Sequence, residues 1–299
     1  MDKIAFVFSG QGDQYPGMGK ELYENYPMAR KIYDLCDKIR PGTSDQCFDG
    51  TEDELKETVN TQPCLFAMEL AAASVLLEKG IVPDAVAGFS LGEVVAATVS
   101  GIFDYETGFH MVCRRGELMQ QEAEKFDTSM AAVVKLTPEQ VQEACSKYSN
   151  VYPVNFNCPG QITVSGLSAQ MAEFFADVKA MGGRAIPLKV KGAFHSPFMN
   201  EAAKAFAEEL AGAEVKERTI TLYSNMTAEP YGEEIVNLLS EQICHPVQWE
   251  KIIGNMITDG IDTFVEIGPG KTLTNMIKKI CADVRALSVS EYLMEVEGC

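Results

Sequence analysis

The chain has 299 residues, 46% hydrophobic and 23% charged, which excludes a disordered chain or a small stapled scaffold and allows one large domain or one that carries a smaller one. Twenty-five basic side chains against 43 acidic ones leave a net charge of −18. A surface this acidic repels phosphate backbones and anionic lipid, so nucleic acid and membrane are not expected as partners.

The first apolar run, Ile4 to Phe8, stops at Ser9-Gly10-Gln11-Gly12, the pattern of a strand buried on both faces and ending in a loop. A helix is expected from Gly19 to Lys38, and an alanine- and leucine-rich one from Gln62 to Lys79, stopped by Gly80. Asp84 to Ala87 reads as a short strand, Gly88-Phe89-Ser90-Leu91-Gly92 as a turn, and Glu93 to Val99 as a helix. A further helix runs from Thr107 to Gln121.

From Met130 to Leu188 the order is strand (131–135), helix (138–148), strand (151–156), strand (161–165), helix (169–181), strand (185–188). That β-α-β-β-α-β order is the ferredoxin-like unit, expected as an insertion (residues 129–189) in a larger α/β domain made of residues 1–128 and 190–299. The larger part resumes with a helix near 199–210, a strand at 219–223, helices near 233–243 and 247–259, a strand at 263–267 and a helix at 271–281. A substrate belongs in the cleft between the two parts.

The cysteines, nine in all, at Cys36, Cys47, Cys64, Cys113, Cys145, Cys158, Cys244, Cys281 and Cys299, are scattered and never spaced C-x-x-C, so neither a disulfide framework nor a zinc site is expected. The N-terminus has no signal h-region and no window approaches 18 apolar residues, which points to a soluble cytoplasmic protein. Gly10-Gln11-Gly12 lacks the third glycine of a dinucleotide loop, because Tyr15 stands there, and Gly270-Lys271-Thr272 lacks the first glycine of a P-loop, because Val265 stands there.

Gly88-Phe89-Ser90-Leu91-Gly92 has the G-x-S-x-G form of a nucleophile elbow, in which a strand turns sharply into a helix and exposes the serine. There the Leu91 N–H can face a developing oxyanion. A serine needs a base. His110 reads as a surface helical residue and His245, before Pro246, as part of an extended connector. His195 lies between a strand end and a helix start, where a helix N-terminus keeps an imidazole neutral; the alternative is a structurally satisfied histidine. Arg115, with Met111, Leu118 and Met119 around it at helical spacing, projects from the apolar stripe and needs an anionic partner. That partner is either a buried acid or a substrate carboxylate.

Phe8-Ser9-Gly10-Gln11-Gly12, Thr61-Gln62-Pro63, Gly88 to Glu93, Arg115-Gly116 with Met119-Gln120, Asn155-Phe156-Asn157 with Pro159-Gly160-Gln161, Gly192 to Pro197, Pro246-Val247-Gln248-Trp249 and Glu266 to Gly270 together resemble malonyl-CoA:acyl carrier protein transacylases, and also polyketide synthase acyltransferase domains. The resemblance implies an α/β-hydrolase-like core with a parallel sheet and an inserted ferredoxin-like subdomain. It implies Ser90 as nucleophile, His195 as its base, the Gln11 and Leu91 N–H groups as oxyanion hole, Arg115 on the malonyl carboxylate and Gln62 in the pocket. His195 would be oriented by the backbone carbonyl of Gln248.

No bound cofactor or metal is implied; malonyl-CoA and the phosphopantetheine arm of an acyl carrier protein are the substrates, and a monomer is expected. Phe89 departs from the histidine that family members commonly carry before the nucleophile, while Ala193-Phe194-His195 is similar to the malonyl-selective version. A serine thioesterase or lipase-like hydrolase is the rival reading, and a non-catalytic carrier-binding module a third. Because carriers are usually acidic too, docking needs a basic patch: Arg184, Lys189 and Lys191, or alternatively Lys278 and Lys279.

Overall fold

The computed structural model describes residues 3–298. Among them are nine strands: β1 (Ile4–Phe8), β2 (Ala85–Gly88), β3 (Thr128–Val134), β4 (Val151–Cys158), β5 (Gln161–Leu167), β6 (Arg184–Lys191), β7 (Thr221–Leu222), β8 (Thr263–Ile267) and β9 (Arg285–Ser288). Five of them form a parallel sheet in the order β7-β2-β1-β8-β9. The near-continuous burial of β1, β2 and β8 follows from helices covering both faces of such a sheet.

Register fixes where the loops leave. Phe8 lies opposite both Gly88 and Ile267, so β1, β2 and β8 end level with one another. The segments Ser9–Gly12, Phe89–Leu91 and Gly268–Gly270 therefore depart from one edge of the sheet, the carboxyl edge where open α/β sheets bind ligands.

The other four strands form an antiparallel sheet in the order β4-β5-β3-β6, backed by the helices Pro138–Ser146 and Ser168–Ala180. Ala131, Val133, Val141, Ala144, Val164, Phe174 and Val178 make a core of their own there. Met130 and Val154 instead join the core of the large sheet, and Val247 pairs with the edge of β4 through Phe156 N–H to Val247 O and Val247 N–H to Val154 O, both 2.9 Å. The small sheet thus sits against the large one, with β6 reaching toward the shared cleft.

The helix expected over 19–38 is two helices, Lys20–Asn25 and Pro27–Ile39. Pro27 forces the preceding Tyr26 into an extended conformation, φ −122° and ψ 117°, which ends the first helix. The short helices Thr43–Asp49 and Glu52–Lys56 and the closing β9 with the helix Val289–Gly298 were not anticipated, since each is only a few residues long or follows a weakly patterned connector. No helix among the described residues is long and apolar enough to cross a membrane.

Candidate active site

The turn after β2 is built by close packing. A Cβ on Gly88 would lie 1.9 Å from the Gly92 carbonyl carbon, and one on Gly92 would lie 2.4 Å from Phe8 O, so only glycine lets the β2 end, the β1 end and the helix Gly92–Val99 meet. Between them Ser90 is held at φ +56°, a left-handed conformation that costs an ordinary residue about 1–2 kcal/mol. Asn225 holds the bend from both sides: its Oδ1 accepts the Ser90 N–H at 2.8 Å and its Nδ2 donates to Gly88 O at 2.5 Å.

Ser90 Oγ lies 2.7 Å from His195 Nε2, and His195 Nδ1 lies 2.8 Å from the backbone carbonyl of Gln242. An Nδ1–H donated to that carbonyl leaves the Nε2 lone pair facing the serine hydroxyl. His195 is itself held at φ +60°, with its N–H donated to Ile243 O at 3.1 Å. Burial, and then the Arg115 charge, push the imidazole down to about 4, so it is neutral at pH 7 as a base must be.

The orienting carbonyl is a correction to the sequence expectation. Gln248 O is taken by the Ile252 N–H, the first bond of the helix Trp249–Thr258, and Gln248 N–H donates to Asn225 O at 2.9 Å. Pairing of Val247 with β4 draws this stretch away from His195, and the earlier turn of Gln242–Cys244 takes its place.

Arg115 is 1% exposed. Its guanidinium donates to Gln62 Oε1 at 2.8 Å, Gln242 Oε1 at 2.7 Å and Ser90 Oγ at 3.3 Å, while Nε has no partner. Every one of these acceptors is neutral, and no carboxylate among the described residues pairs with it within 4 Å. Burial lowers its pKa to about 10, with the Glu93 charge acting the other way; it is still cationic at pH 7. Its neighbour Arg114 is half-exposed and bonds Glu117 and Glu209, an ordinary surface arrangement.

Gln11, Gln62, Ser90, Leu91, Arg115 and His195 line one cavity of ≈ 70 Å³ between the two sheets, closed by Phe89, Met119, Met130, Leu188, Val190 and Phe194. Neither the Gln11 nor the Leu91 backbone N–H donates to another group among the described residues. Two free backbone donors, a hydroxyl, a neutral imidazole and an unpaired guanidinium therefore converge on one space, suited to attack on a carbonyl next to a negatively charged group.

Sequence reasoning missed three contributors. Gln242 links His195, Arg115 and, through Nε2 at 2.6 Å, Ser90 O. Asn225 braces the elbow. Glu93 is fully buried, accepts from Asn225 N–H and Tyr231 O–H at 2.8 Å each, and is pushed up to about 7 by desolvation. Gln242 follows Ser240 and Glu241 and precedes Ile243 and Cys244, so nothing in the local pattern marked it. Of the other histidines, His110 is exposed and His245 is extended, φ −118° and ψ 154°.

The family described as acyl transferase domain matches residues 5–294. The chain is 37% identical to the malonyl CoA-acyl carrier protein transacylase of Bacillus subtilis over 97% of this chain and 94% of that protein. It superposes on the malonyl CoA-acyl carrier protein transacylase from Clostridium perfringens with a TM-score of 0.94, at 34% identity, covering 99% of this chain and 98% of that one. A complex of a type II PKS acyl-carrier protein with its malonyl-transacylase gives 0.95 at 30% identity, covering 99% and 100%.

Proposed function

This chain belongs to the malonyl CoA-acyl carrier protein transacylases of the acyl transferase domain family, and from that membership we propose that it moves a malonyl group from malonyl-CoA to the phosphopantetheine thiol of an acyl carrier protein, for fatty-acid or polyketide synthesis. Ser90 gives its proton to His195 and attacks the thioester; the oxyanion lies between the Gln11 and Leu91 N–H groups. CoA leaves as a thiol with the proton from His195, and malonyl-Ser90 remains. The carrier thiol then repeats the steps in reverse, a ping-pong course in which neither a bound cofactor nor a metal takes part.

The single observation that carries this reading is the buried Arg115 without an acidic partner, 3.3 Å from the Ser90 hydroxyl. A buried unpaired charge costs several kcal/mol, and the free carboxylate of a malonyl chain removes that cost while acetyl does not. The cavity, room for about five to seven water-sized groups, suits a short three-carbon chain. The strand order of the small sheet and its two helices support a ferredoxin-like insertion in a hydrolase-like core, with boundaries near residues 129–189. Scattered free cysteines fit the cytoplasm, and a monomer holds the complete site.

Lys189 borders the same mouth as Gln11 and Tyr15, and Lys191 the adjoining hollow with Lys56. Arg184 is at the far end of β6, and Lys278 and Lys279 close another helix, so Lys189 and Lys191 are the stronger carrier patch. Reversing both to Glu should slow transfer to the carrier about tenfold, less in high salt, and leave self-acylation by malonyl-CoA intact. Following labelled malonyl from malonyl-CoA in the presence of holo carrier tests the reading itself. Label on the carrier thiol is expected; label released only as free malonate would make the chain a hydrolase.

A further inference from the structure

Behind the turn that orients His195, three side chains converge that the proposed reaction does not use. Glu241, Cys244 and His245 stand at i, i+3 and i+4, the spacing that puts groups on one face of a helical turn. Cys244 Sγ lies 3.6 Å from Glu241 Oε2 and 3.4 Å from His245 Nδ1, and His245 Nδ1 lies 3.4 Å from the same Glu241 Oε2. Around a tetrahedral zinc ion with bonds of about 2.0–2.3 Å, neighbouring ligand atoms are about 3.3–3.6 Å apart. The three atoms already sit at three corners of that tetrahedron.

We propose that Glu241, Cys244 and His245 form a binding site for a zinc-class divalent ion, with water at the fourth corner. Thiolate, imidazole and carboxylate together are a zinc-type donor set and a poor one for magnesium or calcium, which take oxygen ligands. The Cys244 thiol is at the base of the site, while the Glu241 and His245 side chains are 40% and 47% exposed, so an ion has an open approach. On binding, the thiol proton goes to solvent and the thiolate sulfur takes the metal; the imidazole gives up the Nδ1 proton that it donates to the Glu241 carbonyl at 2.8 Å and takes one from solvent at Nε2, which frees the Nδ1 lone pair for the ion without moving the ring. The sequence shows no familiar zinc spacing here, because all three donors come from five consecutive residues, and only the turn of Gln242–Cys244 brings them together.

The ligands bracket Gln242 and Ile243, whose carbonyls hold the His195 ring and its N–H. An ion that ties Glu241 to Cys244 and His245 closes that turn and stiffens it, so binding is read as stability as well as occupancy. The test is equilibrium dialysis of the full chain against zinc, paired with thermal unfolding, for the wild type, Cys244→Ser and His245→Asn. Cys244→Ser keeps the size of a small buried side chain, and His245→Asn changes an exposed one, so both are expected to fold. The wild type should hold one zinc more than either variant, with at least ~100-fold tighter binding at that site, beyond the ~10–100-fold of an outer-shell change, and only its unfolding midpoint should rise with zinc. Equal zinc uptake by either variant, no uptake by the wild type, or bound zinc that leaves the midpoint unmoved overturns the proposal.

Discussion

The loop after β1 borders two regions of buried charge that meet the cost of burial in opposite ways. On one side Gln11 lines the cavity of Arg115, whose guanidinium is surrounded by amides and the Ser90 hydroxyl. On the other, Ser9 and Asp13 stand beside Gly268 and Gly270, near Glu69. Glu69 is fully buried with both carboxyl oxygens unpartnered; burial, and then the charges of Asp13 and Glu266, hold it well above the usual carboxylate range. Asp13 is pushed up to about 6 by burial, and Glu266 is spent on the Leu273 and Thr274 N–H groups. A carboxyl escapes its burial by taking up a proton, and burial drives Glu69 toward that form. Arg115, still near 10, has no such exit. The region that cannot neutralise itself is the one that calls for an anionic substrate.

Substitutions on the two sides should therefore differ greatly. Ser90→Ala should abolish the malonyl-enzyme and cut transfer to the carrier about 10⁴-fold or more, the scale of losing a nucleophile; steady-state assay and intact mass read both. Arg115→Ala should lower the rate of malonyl self-acylation by about 10²-fold, as for one broken buried charge contact of about 3 kcal/mol.

Arg115 also depresses the His195 pKa to about 4 together with burial. The acid limb of self-acylation in the wild type should therefore lie well below 6.5, and removing the positive charge should move it up in pH. Quenched-flow rates between pH 4 and 8 would show the limb; one that stays put in Arg115→Ala breaks the link between the two residues. The same depression means that His195 contributes stability above its unfolded value of about 6.5 that is lost as pH falls toward 4.

Gln242→Ala keeps the backbone carbonyl on His195 and removes only the amide on Arg115 and Ser90 O, so about a tenfold loss in rate is expected. Glu69→Gln mimics the protonated acid and should be the mildest, leaving activity within about twofold and stability at neutral pH within about 1 kcal/mol. The contribution of Glu69 to stability falls as pH rises above its unfolded value of about 4.3, because ionisation favours the unfolded chain, and Glu69→Gln should remove that contribution in urea titrations. A large rate loss in Glu69→Gln would mean that its charge, and not its bulk, supports the β1 loop.

What could be read from the residues divides along similar lines. The elbow was legible because it is local: Gly88 and Gly92 must be glycine for β2 to turn into its helix with Phe8 O pressed against the bend, and Ser90 stands between them. Arg115 was legible as a cation on an apolar stripe, but its choice between a buried acid and a substrate depended on Glu93, Gln62 and Gln242 being brought in from three other elements. The succession of strands and helices in the small sheet's segment was legible along the chain, whereas β9 and the helix after it carry little pattern. The orienting carbonyl was misread as Gln248 because a backbone oxygen has no sequence signature; only the pairing of Val247 with β4 decides which carbonyl reaches His195.

The central claim is that Arg115 waits for the carboxylate of an acyl chain on Ser90. Intact-mass spectrometry after brief exposure to equal malonyl-CoA and acetyl-CoA, on the wild type and on Arg115→Ala, tests it most directly. The wild type should carry malonyl almost exclusively, on Ser90, and Arg115→Ala should lose that preference or reverse it. An Arg115→Ala protein that keeps the wild-type ratio of malonyl to acetyl would contradict the account.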